Sequence, residues 1–127
     1  MGNPPMNFLD VEVVRDAERG DYHARSQGLD VVIPPERGEK VAGRGIVTLG
    51  IRPEDISLAD DGISGKVYVV EPLGRDDLLD VRIGETSVHM LADPALNLKM
   101  GQNVTLGFSA NKVQFFDPAT EKSLLWT

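Results

Sequence analysis

Val47-Thr48-Leu49-Gly50 returns letter for letter as Val104-Thr105-Leu106-Gly107, 57 positions further on. At the same offset Ile51 meets Phe108, Ile56 meets Val113, Val31 meets Val88 and Ile33 meets Met90. At an offset of 56, Val11-Glu12-Val13-Val14 lies over Val67-Tyr68-Val69-Val70, a one-residue difference that a turn absorbs. Chance is the competing explanation, because Val, Leu, Gly and Thr are common residues. The pairing covers several segments, however, and so favours one β-rich unit used twice, its copies packing together to close a core.

Working outward from these phrases, nearly every segment reads as a strand. Phe8 to Val14, Tyr22 to Arg25 and Leu29 to Ile33 form the first set, with a hairpin turn at Ser26-Gln27-Gly28. Pro34-Pro35 ends that set, since proline donates nothing to a ladder. Glu36 to Arg44 is polar, contains Gly38 and Gly43, and reads as a loop before the strand Ile46 to Arg52. Pro53-Glu54-Asp55 suits a single helical turn, with proline at a first helical position and acids behind it. Asp60-Asp61-Gly62 reads as a turn. Beyond it the plan repeats: Ile63 to Glu71, Leu78 to Ile83, Thr86 to Leu91, Val104 to Phe108, Val113 to Phe116 and a last short strand Ser123 to Trp126. No stretch sustains a 3.6-residue apolar period, so no long helix is expected. Short strands punctuated this often predict an all-β fold, a small OB-fold-like barrel with at most short helical turns. The expected organisation is one domain, 1–127, of two intertwined halves at about 6–58 and 63–127.

Composition narrows the function. The chain has 127 residues, 41% of them hydrophobic, which is enough for a real core. Thirteen basic residues against twenty acidic give a net charge of −7, which opposes nucleic-acid binding and favours solubility. The longest basic cluster, Arg37 to Arg44, is interrupted by Glu39. Only Tyr22 and Tyr68 fall inside clear strands in polar company, too few for a base-stacking platform, whereas Phe115-Phe116 and Trp126 suit a core. There is no cysteine, no secretion-signal pattern at Met1-Gly2-Asn3-Pro4-Pro5 and no membrane-length apolar run, a set that fits the cytoplasm.

Catalytic signatures are missing from the 127 residues. No Gly-x-x-x-x-Gly-Lys-Ser/Thr phosphate loop and no Gly-x-Ser-x-Gly elbow occurs. His23 and His89 stand 66 positions apart, without metal-ligand spacing, and read as strand-surface residues. The acid pairs Glu54/Asp55 and Asp60/Asp61 read as solvated turns. Asp76-Asp77-Leu78-Leu79-Asp80 crowds three carboxylates around one strand start and is a candidate partner contact. No catalytic, metal or cofactor residue is assigned, and the chain by itself reads as a non-enzyme.

Four ordered phrases carry a family resemblance: Gly2-Asn3-Pro4-Pro5-Met6-Asn7-Phe8-Leu9; Leu49-Gly50-Ile51-Arg52-Pro53-Glu54-Asp55-Ile56; Val70-Glu71-Pro72-Leu73-Gly74; and Val113-Gln114-Phe115-Phe116-Asp117-Pro118. Together they resemble the C-terminal regulatory domain of MalK-type ATPases, the ATP-binding subunits of carbohydrate ABC importers. That module is called the transport-associated OB, or TOBE, domain. The resemblance runs from Gly2 to Leu124, and Gly-Ile-Arg-Pro-Glu is its most specific part. Asn3 departs from the usual Ser or Thr, and Glu36 to Arg44 contains no family phrase.

The resemblance implies a regulatory and dimerisation module of a sugar importer subunit. It places the phosphate loop, ATP and Mg in a nucleotide-binding domain missing from this chain, with Met1 an added start. The implied partners are a second copy of the subunit, the transmembrane permease subunits through the full-length protein, and in some members a regulatory protein; nucleic acid is not among them. The implied location is cytoplasmic, peripheral to the inner face of the membrane. Candidate interface residues are Arg52, Pro53 and Glu54 at one corner, and Glu71, Gly74, Asp76 and Asp77 at another. The alternative at both is local: Arg52 and Glu54 pairing with neighbours, Pro53 ending a strand, and Gly74 permitting a turn. The second half, with Gly65-Lys66-Val67, is also similar to molybdate-binding OB modules. That likeness implies oxyanion donors at Ser64, Lys66, Ser87 and Lys112, against which the net charge argues.

Overall fold

Strand β1 (Asn7–Arg15) shows how the fold is built: Asn7, Leu9, Val11 and Val13 are buried, while Phe8, Asp10 and Glu12 face solvent. That period-2 alternation is a strand with one face on a core. The structure, a computed structural model, describes residues 4–125. After β1 come β2 (Tyr22–Ser26), β3 (Leu29–Ile33), helix α1 (Pro35–Val41), β4 (Ile46–Ile51) and β5 (Ile56–Pro72). Then follow β6 (Asp77–Ile83), β7 (Thr86–Ala92), β8 (Asn103–Phe108) and β9 (Gln114–Phe116). Two antiparallel sheets result, ordered β3-β2-β1-β4-β9 and β7-β6-β5-β8. Their inner faces feed one hydrophobic cluster, with Val11, Ile33, Leu49 and Ile51 from one sheet and Leu79, Val81, Met90 and Leu106 from the other. Each such side chain contributes roughly 1.5–3 kcal/mol on burial. The chain is all-β in class, with an OB-like fold.

The repeated phrases occupy equivalent places. Val47 to Gly50 lies on β4, the neighbour of β1, and Val104 to Gly107 lies on β8, the neighbour of β5. Tyr22 pairs with Ile33 and Ala24 with Val31; 57 positions on, Leu79 pairs with Met90 and Val81 with Val88. The hairpin register is therefore the same in both. Against β5 the register slips between Val67 and Val69, so the central pairing differs from that of β1.

Three expectations are corrected. Asp60-Asp61-Gly62 does not reverse the chain, because β5 continues through it. Leu58 and Ile63 both stand opposite Leu106, leaving Ala59 to Gly62 as a bulge off the ladder. Gly62 permits this: a Cβ there would lie 2.3 Å from the Leu106 carbonyl oxygen. The polar stretch from Glu36 is not a loop but opens helix α1, with a proline at its start and Glu36 in the first turn. Gly38, the residue that argued against a helix, is buried where a Cβ would meet Tyr22 Cγ at 2.2 Å. Tyr22 is accordingly buried beneath α1 rather than on a polar strand face.

At the C-terminal end Phe115 is fully buried, whereas Phe116 lies on the outer face, edge-on to Phe8 at 5.9 Å. Within the expected last strand Ser123 forms a bridge to Phe116, and the Leu124 amide donates to the Phe115 carbonyl at 2.9 Å. Trp126, Gly2 and Asn3 lie outside the described residues. Three 3-10 turns, Pro53–Asp55, Pro94–Leu96 and Ala110–Lys112, complete the structure. Among the described residues, no helix is long and apolar enough to cross a membrane.

Candidate functional site

Asn7, the one buried polar residue among those described, sets the first candidate corner. Its Nδ2 donates to the carbonyls of Ile51 at 3.1 Å and His89 at 2.9 Å, and its Oδ1 accepts the His89 amide at 2.8 Å. The side chain thus replaces a strand neighbour for β7 and ties that edge to the end of β4. Arg52 follows in extended conformation, and Pro53 starts the 3-10 turn that packs on β7. The Asp55 amide donates to the Arg52 carbonyl at 2.9 Å, and the Asp55 carbonyl accepts Ser109 N–H at 3.0 Å. Pro53 is buried, leaving Arg52 and Glu54 exposed on a fixed backbone. Among the described residues neither makes an ion pair within 4.0 Å, while Pro53 stands just past the end of β4, as the local alternative expects.

Arg52, Glu54 and Asp55 line the mouth of an open cleft of about 680 Å³ with Met6, Lys112, Gln114, Phe116 and Ser123. On the far side of Phe116 a second cleft, about 460 Å³, is bounded by Phe8, Asp10, Thr48, Asp117, Pro118 and Glu121. Phe8 is 61% exposed. An aromatic pair therefore stands between acids, beside a corner bearing both charges.

The second group lies elsewhere. Glu71 and Gly74 end β5 and open its turn into β6, Gly74 with φ +100°, and the Leu73 amide closes that turn on the Asp76 carbonyl at 2.9 Å. Asp76 and Asp77 are half-buried, and Asp77 pairs with Pro72 and Ala92. Neither cleft of the Arg52 corner includes any of these residues. The four oxyanion donors also fail to converge. Lys66 and Ser87 are exposed on β5 and β7 in one row with Arg82, Ser64 borders a separate groove with Arg25 and Gly28, and Lys112 stands in the cleft beside Arg52. Met6, Phe8 and Phe116 were not singled out from sequence as site residues, because only the long-range β1–β4 and β4–β9 pairings bring them to this corner. The signal available was the pair of phrases that contain them.

Comparison with known proteins agrees with this architecture. An antiparallel β fold of the OB type is shared with a solved structure of the cytoplasmic molybdate-binding protein ModG, with a TM-score of 0.67 at 18% identity, over 88% of this chain and 96% of that one. Residues 49–116 match the TOBE domain family and residues 2–56 match the MalK OB fold domain. The chain belongs to the TOBE domain family. The two matches overlap at Leu49 to Ile56, the segment of the Arg52 corner. Among curated relatives, the uncharacterized ABC transporter ATP-binding protein y4oS of Sinorhizobium fredii is 34% identical over 94% of this chain and 31% of its own length. The sulfoquinovosyl glycerol transport ATP-binding protein SmoE of Agrobacterium fabrum is 33% identical over 98% of this chain and 35% of its own. The multiple sugar-binding transport ATP-binding protein MsmK of Streptococcus mutans is 28% identical, also over 98% and 35%. The chain therefore spans about a third of the length of these relatives.

Proposed function

We propose that this chain is the non-catalytic regulatory and dimerisation module of the ATP-binding subunit of a sugar ABC importer. The observation that carries the proposal is the end-to-end match of the chain to sugar-transport ATP-binding proteins, joined at the exposed Arg52-Pro53-Glu54 corner. In this reading a nucleotide-binding domain supplies the phosphate loop, ATP and Mg. The module itself stays cytoplasmic, held at the inner face of the membrane through the permease subunits. A rigid β domain tethered to a moving ATPase keeps two subunits at high effective concentration, about millimolar for a short link, after the nucleotide interface opens. Any protein that binds one arrangement of the pair biases the cycle by its differential affinity. The clefts on either side of Phe116 offer such a partner an aromatic anchor and an acidic rim.

The reading frame upstream of Met1 in the source genome tests the proposal. An in-frame nucleotide-binding domain with a phosphate loop is the expected result. A stop codon followed by a ribosome-binding site would sink the proposal and leave a free-standing module.

A further inference from the structure

The turn between β1 and β2 gathers groups that neither the core nor the clefts use. The Asp16 amide donates to the Asp21 carbonyl, and the Gly20 amide to the Asp16 carbonyl, both at 2.8 Å, which closes the turn. Asp16 Oδ1 accepts the amides of Glu18 at 3.0 Å and Arg19 at 3.4 Å, leaving Oδ2 for something else. That Oδ2 lies 3.8 Å from His23 Nε2, and Asp21 Oδ1 lies 3.3 Å from the same nitrogen. The other ring nitrogen, Nδ1, is 2.7 Å from Asp30 Oδ1. A carboxylate only accepts, so Nδ1 carries a proton toward Asp30, which leaves Nε2 as the ring atom facing Asp16 and Asp21. Both His23 Nε2 and Asp21 Oδ1 are sealed from solvent and make no hydrogen bond. Two carboxylates around one ring nitrogen favour a cation between them, a proton on Nε2 or a metal ion in its stead.

We propose that Asp16 Oδ2, Asp21 Oδ1 and His23 Nε2 form a binding site for a divalent transition-metal ion of the Zn²⁺ class. The three ligand atoms lie within 4.8 Å of one another. Tetrahedral Zn²⁺ with bonds of about 2.0–2.1 Å needs ligand atoms about 3.3 Å apart, which the 3.3 Å from His23 Nε2 to Asp21 Oδ1 meets, while the 3.8 Å to Asp16 Oδ2 closes as the carboxylates draw in on the ion. One imidazole and two carboxylates suit Zn²⁺, Co²⁺ or Ni²⁺ better than Ca²⁺ or Mg²⁺, which take oxygen ligands in larger number. The outer shell is in place as well. Asp30 orients the ring through Nδ1, and Arg25 Nε holds the other oxygen of Asp30 at 3.2 Å, an arrangement that fixes the tautomer of metal-bound histidines. The Asp16 carboxyl is held below the usual carboxylate range, chiefly by the Glu18 amide, with burial opposing and the amide and charge of Arg19 adding smaller effects. Its side chain is 28% exposed and that of Asp21 27%, which leaves a side open for water to complete the coordination. Histidine spacing missed this set because the partners of His23 are aspartates of its own turn rather than His89.

The test is calorimetric titration of the tag-free, EDTA-treated chain with ZnCl₂, and with CoCl₂ followed by visible absorption. One ion per chain, a Co²⁺ ligand-field band and a melting temperature that rises with metal are expected. Asp21→Asn and His23→Gln each weaken binding at least about tenfold, Asp30→Asn weakens it by a similar factor through the outer shell, and His89→Gln leaves it unchanged. If His23→Gln fails to fold, Asp21→Asn and Asp30→Asn carry the test. No saturable uptake at about 1 mM Zn²⁺, uptake undiminished in Asp21→Asn, or Ca²⁺ bound as tightly as Zn²⁺ would each overturn the proposal.

Discussion

Asn7 makes three hydrogen bonds from a buried position, and no apolar residue of its size can replace them. Asn7→Ala would strand the His89 amide and two carbonyls, at a cost of about 2–4 kcal/mol in urea unfolding. A loss below about 0.5 kcal/mol would mean that water takes over those bonds. Gly38→Ala is the sharper test of packing. Alanine exceeds glycine in helix propensity by about 1 kcal/mol, yet here its Cβ would sit 2.5 Å from Tyr22 Cβ, an atom that no rotamer change can move. The substitution is expected to destabilise by roughly 1–3 kcal/mol, the opposite sign from propensity alone. Neither residue declared its role in the sequence. Asn7 sits in step with Leu9, Val11 and Val13, but a period-2 pattern does not tell an inward amide from an interruption.

Helix α1 and bulged β5 are the elements that sequence reading misjudged, for opposite reasons. Glycine and charge hid α1, because its burial rests on Gly38 and Val41 alone and its polar face is turned to use. Arg37 donates to the carbonyls of Val113 and Asn111, and Lys40 Nζ to that of Leu125 at 2.9 Å, so the helix clasps the segment that follows β8. Arg37→Ala removes both of its bonds and is expected to cost about 1–3 kcal/mol, with faster amide exchange in β9. Unchanged exchange in β9 would contradict the clasp. In β5 the acids and glycine marked a true break in pairing, yet the chain keeps its partner strand across it. Amides of Ala59 to Gly62 should therefore exchange well ahead of Ile56 to Leu58 and Ile63 to Val67. Uniform protection along β5 would contradict the bulge.

For the whole molecule, the repeat was the legible part, since the two hairpins at that offset share a register, although β4 lies inside its sheet and β8 at an edge. The single turn at Pro53-Glu54-Asp55 was legible too, because a proline just past a β-branched strand leaves few conformations. Its neighbours were not, for Met6, Phe116 and Lys112 reach it only through long-range pairing. The scattered places of Ser64, Lys66, Ser87 and Lys112 predict no rise in melting temperature with millimolar molybdate. A rise that saturates would return oxyanion binding to first place. The central claim is that this module holds two ATP-binding subunits together when nucleotide no longer does. Sedimentation velocity of the complete ATP-binding subunit in ADP, with and without this region, measures it most directly. A dimer that persists only when the region is present is the predicted result, and the same sedimentation distribution for both proteins would contradict it.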